Sequence, residues 1–161
     1  MTTMNETATE VRHDSTWKRL ETKRWGVLQY REEDLITFPF GLLGFEHLHR
    51  WALFVAEDHP PFQWMVSIDD PDVAFVVVDP LIICPDYAPK VSRRELEHLQ
   101  VESLDDLRLL SIVTLGRTPE ESTINLSGPL FINVKKKIGK QVVLLSSQYP
   151  TKFPILKKEQ P

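Results

Sequence analysis

Cysteine and glycine are scarce in this chain of 161 residues, which contains one cysteine and six glycines. The single thiol, Cys84, excludes an intramolecular disulfide and any zinc or iron–sulfur site built from several cysteines. Because Cys84 follows an apolar run and precedes Pro85, we expect it to be buried and structural rather than reactive. The glycines are too dispersed to form a phosphate-binding loop, and no nucleophile-elbow or dinucleotide-binding motif is present. The sequence therefore predicts no catalytic residues and no cofactor.

Long hydrophobic runs are missing as well. No stretch approaches the roughly eighteen apolar residues that a membrane helix requires. Residues 1–15 contain no apolar core of the kind that a secretion signal has. With a single cysteine and no such segments, we expect a cytoplasmic protein that makes no contact with membranes.

The chain divides by composition into one domain and two tails. Residues 1–16 are polar and lack a hydrophobic period, which predicts a disordered N-terminal tail. Residues 17–156 are predicted to form a single β-barrel-like domain, and residues 157–161 a C-terminal tail. A domain of this size can bury a core of its own without disulfides.

Short apolar runs separated by turn residues predict an all-β protein. One run, Ala74–Val78, is apolar throughout, so we expect that strand to be covered on both faces. Because many short strands need closure to protect their edges, we predict a small antiparallel β-barrel or a strongly bent sheet. The ten predicted strands are Lys18–Thr22, Gly26–Tyr30, Leu35–Phe38, Trp51–Val55, Gln63–Ile68, Ala74–Val78, Arg108–Thr114, Ser122–Leu126, Leu130–Asn133 and Gln141–Leu145.

One short helix interrupts these strands. Ser92 and Glu95 stand three residues apart, as in a capping box, and Leu96 and Leu99 then share one helical face. Asn133–Gln141 is predicted to form a hairpin connection in which Gly139 is able to take a positive φ.

Charge is distributed unevenly along the chain. Glu46–Asp106 carries thirteen acidic and four basic residues, a net charge of −9, and Leu130–Pro161 carries seven lysines and one glutamate, a net charge of +6. Either the folded domain presents two faces of opposite sign, or these charges interleave when the chain folds. The total of −4 argues against a protein that binds nucleic acid directly.

Clusters of polar residues offer few sites for chemistry. His47 and His49 with Glu57 or Asp58 have ligand-like spacing, but an exposed loop is the better interpretation, and we predict no metal site. A second cluster, at 69–72, carries three carboxylates, on Asp69, Asp70 and Asp72. It either supports acid–base chemistry or forms a turn between two strands, and we favour a turn that doubles as an acidic recognition edge.

Six segments together carry a family resemblance. They are Glu21–Gly26 (ETKRWG), Ile36–Glu46 (ITFPFGLLGFE), Pro61–Pro71 (PFQWMVSIDDP), Ala74–Pro80 (AFVVVDP), Ile124–Asn133 (INLSGPLFIN) and Gly139–Leu144 (GKQVVL). In that order and spacing the chain resembles the bacterial flagellar assembly factor FliW family from about Leu20 to Pro154.

The resemblance implies a switch protein that is not an enzyme. Proteins of this family bind flagellin in the cytoplasm and also bind CsrA, a small dimeric RNA-binding repressor of flagellin translation. When flagellin is exported, the freed factor sequesters CsrA, and the antagonism acts away from the RNA surface of CsrA. We expect the free protein to be monomeric.

This implied function suggests which residues meet the partners. An acidic surface docked near the cationic surface of CsrA would repel RNA without touching it, so we predict that Asp69, Asp70 and Asp72 face CsrA. Apolar anchors are predicted as well, although each is equally suited to the core. They are Phe38, Leu42, Phe45 and Trp64.

Two alternatives remain open at this point. One is a dedicated flagellin chaperone without a role toward CsrA. The other is a small β-barrel enzyme or ligand-binding module that uses the carboxylates of Asp69, Asp70 and Asp72, which predicts a concave pocket and a carboxyl group of raised pKa.

Overall fold

A computed structural model describes residues 16–145 and 148–156 of the chain. The predicted tails at 1–16 and 157–161 lie outside the described residues apart from Thr16. Two short helices occur in this part of the chain, α1 (Pro80–Ile83) and α2 (Arg93–His98), with single 3-10 turns at Glu32–Asp34, Leu104–Asp106 and Pro119–Glu121. The strands are β1 (Lys18–Thr22), β2 (Gly26–Tyr30), β3 (Ile36–Thr37), β4 (Arg50–Val55), β5 (Gln63–Ser67), β6 (Ala74–Val78), β7 (Leu107–Thr114), β8 (Thr123–Ile124), β9 (Leu130–Asn133), β10 (Ile138–Gln141) and β11 (Phe153–Pro154).

Seven of these strands close into a barrel. Their order around the ring is β7-β6-β5-β4-β3-β10-β9, and the pairing of β9 with the first half of β7 closes it. All neighbours are antiparallel except β3 and β10, which run parallel. β8 and β11 extend the sheet beyond β7, whereas β1 and β2 form a separate two-stranded sheet. The all-β prediction and the barrel are confirmed.

The barrel interior holds the main core. Side chains that alternate along each strand point inward because successive residues of a strand face opposite sides of the sheet. Gly139 of β10 lies directly against the Phe38 ring, where a Cβ atom would stand 2.4 Å from the ring carbon Cζ. The fully buried interior residues include Phe38, Leu42, Trp51, Met65, Val77 and Leu130.

The predicted hairpin connection is present between β9 and β10, but Gly139 does not supply its positive φ. This residue is part of β10 rather than of the preceding turn, and the positive φ of 59° falls on Lys137. Asn133 makes this turn possible because its side-chain oxygen accepts hydrogen bonds from the amides of Lys135 and Lys136. β10 therefore begins at Ile138, earlier than the predicted Gln141–Leu145 strand.

The described part of the chain contains two helices where one was predicted. α2 begins as expected, with the Ser92 hydroxyl accepting a hydrogen bond from the Glu95 amide at 3.2 Å. α1 was missed because Pro80–Ile83 continues an apolar strand in sequence. Asp79 starts it, as its carboxylate accepts a hydrogen bond from the Leu81 amide at 2.9 Å.

The outer face of the sheet carries a second apolar layer. Val78, Val113 and Ile124 pack there against the segment around α1 and the C-terminal strand. Phe75 and Val77 of β6 face the interior cluster and Val76 and Val78 face this outer one. Val77 and Val78 are fully buried but Val76 is half-buried, so the expected cover on both faces is present only at the C-terminal end of β6. Cys84 is half-buried in the same layer, which is less than the full burial predicted.

Candidate functional site

The residues of the predicted acidic cluster form the turn between β5 and β6, as predicted. We call Asp69–Asp72 the acidic turn. The Asp69 carboxylate accepts hydrogen bonds from the amides of His49 and Arg50, at 2.9 and 3.1 Å. It also accepts two from the Arg50 guanidinium, at 3.1 Å from Nε and 3.0 Å from Nη2. Asp69 therefore ties the turn to the start of β4.

These contacts decide the protonation state of Asp69. Burial alone would raise the pKa of its carboxyl group, but the amide hydrogen bonds from His49 and Arg50 and the Arg50 guanidinium together lower the pKa below its ordinary value. A general acid needs the opposite shift. The carboxylate of Asp69 thus serves as an anionic anchor for the turn.

The other two carboxylates of the acidic turn lie in different environments. Asp72 has an exposed side chain whose nearest cation is Lys23, with 3.7 Å between Nζ and Oδ2, and the Lys23 side chain is itself 89% exposed. Such an exposed ion pair contributes little to stability, and the Asp72 carboxylate still faces solvent. Asp70 is half-buried and accepts a hydrogen bond from the Asp72 amide at 3.2 Å.

The four predicted apolar anchors separate into two groups. Phe38 and Leu42 lie inside the barrel, with 0% and 2% of their surface exposed, so the core interpretation holds for both. Phe45 is half-buried at the edge of the interior cluster, with its ring 5.3 Å from the Phe75 ring. Trp64 is half-buried and faces outward, because its neighbour Met65 faces the interior.

Trp64 is part of an aromatic cluster with the β1–β2 hairpin. The Trp25 ring meets it edge to face at 4.8 Å between centroids. The Arg24 guanidinium stands 5.4 Å from the Trp25 ring and 5.5 Å from the Trp64 ring. These contacts fix the hairpin tip against the outer face of the barrel and place a cation beside Trp64.

A groove opens on the other side of Trp64. This outer groove has a volume of about 540 Å³, and Trp64, Val76 and Val113 line it from adjacent strands. The loop after β7 and the residues that follow β11 form its walls, with Leu115 63% exposed and Leu156 43% exposed. Of the residues that line this groove, only Trp64 was predicted from the sequence. The others were missed because the groove is built from segments that are far apart in the chain.

Charges from distant segments interleave around the barrel. Lys140 of the basic segment contacts the Glu95 carboxylate and lies 2.7 Å from His98 Nδ1. Lys136 pairs with Glu102 at 3.9 Å. Of the two possibilities left open by the charge pattern, interleaving is therefore the one observed at these contacts.

The described residues hold neither a metal-binding cluster nor a helix suited to a membrane. No group of three or more His, Cys, Asp or Glu side chains in residues 16–145 and 148–156 is arranged to hold a metal ion. His49 instead pairs its ring Nε2 with the Glu46 carbonyl at 3.0 Å. In the same ranges, no helix has the length and apolar character needed to cross a bilayer.

The fold and the site together define a small closed β-barrel protein with two exposed features, an acidic turn and an apolar groove. The family model described as FliW protein matches residues 18–155. The chain belongs to the FliW family.

Relatives of known name agree with this assignment. The flagellar assembly factor FliW of Caldanaerobacter subterraneus subsp. tengcongensis is 40% identical over 140 residues, which cover 86% of this chain and 93% of the relative. That of Clostridium tetani is 34% identical over 141 residues, which cover 88% and 97%. A crystal structure of the flagellar assembly factor FliW superposes with a TM-score of 0.83 at 31% identity and covers 89% of this chain and all of that one. The chain is thus a flagellar assembly factor of this family.

Proposed function

We propose that this protein binds flagellin and CsrA in the cytoplasm and antagonises CsrA, so that flagellin translation is coupled to flagellin export. It acts as a monomer when free, by binding and without catalysis. Family membership supports this proposal, since the matched relatives are flagellar assembly factors.

The acidic turn is the observation that carries the CsrA part of the proposal. An RNA-binding repressor presents cations, because phosphate contacts dominate RNA affinity. Asp70 and Asp72 offer carboxylates of the complementary sign, and the four hydrogen bonds to Asp69 hold their turn in one conformation. A preformed acidic turn loses little conformational entropy on binding and lowers the local potential that attracts RNA.

The predicted anchors take different roles in this proposal. Trp64 and Phe45 retain exposed surface and are available to a partner. Phe38 and Leu42 support the surface from the interior and make no contact with a partner.

Charge reversal in the acidic turn tests the CsrA interaction. The double variant Asp70→Lys/Asp72→Lys is expected to bind CsrA at least about tenfold more weakly, because opposite charges at an interface become like charges. Titration calorimetry at low and high salt measures this, and the variant should also lose most of the salt dependence of the wild-type affinity.

A matched control separates the turn from net charge. The double variant Asp86→Lys/Glu97→Lys makes the same change in charge at exposed carboxylates on other elements. It should bind CsrA within about threefold of wild type. Equal losses in both double variants would contradict a specific role for the acidic turn.

A flagellin chaperone without a CsrA role is the second candidate function, and the outer groove favours it, because an apolar surface of this kind suits an export substrate. Pull-down from motile cells distinguishes the two. Recovery of both flagellin and CsrA supports the switch, and recovery of flagellin alone supports the chaperone.

An enzymatic role has less support. The acidic turn contributes no residue to the outer groove, and the pKa of Asp69 is lowered by its hydrogen bonds even though burial opposes the shift. Recovery of neither partner in the pull-down would bring this alternative back.

A further inference from the structure

We propose that the outer groove binds an amphipathic helical segment of flagellin whose apolar face is flanked by carboxylates. This inference rests on the proposed function for its partner. It assigns flagellin and CsrA to separate surfaces, the groove and the acidic turn.

The apolar base of the groove is formed by one row of paired residues. Trp64 pairs with Val76 across β5 and β6, and Val76 pairs with Val113 across β6 and β7. Paired residues in neighbouring strands point to the same face of a sheet, so their side chains form a continuous outward surface. Leu115 and Leu156 rise beside this row with more than two fifths of their surface exposed, at 63% and 43%.

This surface suits a polypeptide segment better than a small polar ligand. A small-molecule site has a few convergent polar groups that await a partner. The buried polar group here, Ser122, is already engaged, since its hydroxyl accepts from the Gly116 amide at 3.0 Å and donates to the Thr118 carbonyl at 3.3 Å. An apolar groove with engaged polar groups is the surface into which amphipathic helices insert side chains at i, i+3 and i+4.

The charged side chains at the rim of the groove indicate which charges the bound segment carries beside its apolar face. Among the described residues that line the groove, the ionisable side chains are His59 and Arg117, and none of these residues carries a carboxylate. Arg24 is not a lining residue, and its guanidinium stands 5.5 Å from the Trp64 ring on the side of the hairpin tip. Arg117 has a side chain that is 94% exposed and lies 3.9 Å from Glu121, so most of its donors remain free for a partner. A basic rim in a protein of net charge −4 selects a segment with carboxylates beside its apolar face.

The opposite chemistry of the two surfaces explains why they are separate. The acidic turn presents carboxylates and the groove presents a basic rim around apolar side chains, so one partner surface cannot complement both. The hairpin tip lies between them, as Lys23 contacts Asp72 and the adjacent Arg24 and Trp25 contact Trp64.

Two single variants of the full chain test the assignment. Leu115→Gln removes apolar surface from the wall and Arg117→Glu reverses the rim charge. Each is expected to weaken binding of purified flagellin monomer by about tenfold while CsrA affinity stays within about twofold. Both positions are exposed, so the variants should fold, and circular dichroism melting checks this.

Matched controls are available elsewhere on the surface. Leu104→Gln alters a leucine that is 67% exposed in the 3-10 turn before β7, and Arg93→Glu reverses an exposed arginine on α2. Both should bind flagellin as wild type does. A photo-crosslinking residue placed at position 115 identifies the bound segment by mass spectrometry, and the segment should show apolar residues at i, i+3 and i+4 flanked by Asp or Glu.

The outcomes separate this inference from the proposed function. If wild type binds flagellin and both groove variants bind it equally well, the groove assignment is wrong and the function stands. Loss of CsrA binding in the groove variants, or a crosslink to a segment without that pattern, also overturns the assignment. If wild type binds no flagellin, the proposed function itself fails, and the groove assignment fails with it.

Discussion

Phe38 and Trp64 belong to two regions of one barrel that look alike in sequence and differ in structure. Phe38 lies in the interior against Gly139, with none of its surface exposed. Trp64 lies on the outer face between the hairpin tip and the groove, and is half-buried. The strand ring encloses the interior, whereas the outer face is covered only in parts. Apolar residues on this barrel therefore serve stability inside and remain available for binding outside.

The largest effect that separates the two regions is expected from alanine substitution. Phe38→Ala should lower the free energy of unfolding by about 3–5 kcal/mol, because it leaves a cavity in a closed interior. Trp64→Ala should lower the free energy of unfolding by less than about half of that amount, since the Trp64 ring is partly exposed to solvent in the folded protein. Urea denaturation of both variants measures the difference. Similar losses in the two variants would show that the outer face is as fully packed as the interior.

The next largest effect on stability is expected from Asp69, which anchors the acidic turn to the barrel. Replacing Asp69 by Asn should cost about 1–2 kcal/mol at neutral pH, because charged hydrogen bonds to the Arg50 side chain and two amides are weakened in a site that is 26% exposed.

The stability difference between wild type and Asp69→Asn should become smaller as the pH falls. The pKa of Asp69 is lowered in the folded state, so its stabilising effect is present above the pKa of the unfolded chain and is lost as the pH falls. Denaturation of wild type and Asp69→Asn between pH 7 and pH 3 should therefore show the two stabilities converging. A gap that stays constant over this range would contradict the anchoring role.

The smallest effect concerns a buried hydroxyl beneath the outer layer. Ser111 of β7 is fully buried, and its Oγ has no hydrogen-bond partner among the described residues. Ser111→Ala should therefore leave stability unchanged or raise it by up to about 1 kcal/mol. Ser67 is the matched control, because its buried hydroxyl accepts a hydrogen bond from the Asp70 amide at 2.9 Å. Ser67→Ala should lower stability by about 1 kcal/mol, and equal effects in thermal melts would refute the distinction.

The strands show which elements the local sequence pattern can predict. β1, β2, β6 and β9 have the bounds predicted from their apolar runs and turn residues. α1 was missed, because a helix of four residues that begins at Pro80 has no period that distinguishes it from a strand. β11 was also missed, since a strand of two residues depends on its partner β8 rather than on its own composition.

The site was predicted in part for the same reason. The acidic turn was visible because its residues are consecutive, and turn chemistry is local. The outer groove was not visible, because Trp64, Leu115 and Leu156 come from segments that meet only after the barrel closes.

The sequence by itself determined the all-β class, the acidic turn, the cap of α2 and, through its motifs, the family. These follow from neighbouring residues, whose backbone preferences and hydrogen bonds operate over a few positions. Only the tertiary structure decided which apolar residues face inward, why position 139 is glycine and where Lys140 and Lys136 find their carboxylates. Those outcomes depend on contacts between segments far apart in the chain, and the closure of seven strands creates those contacts.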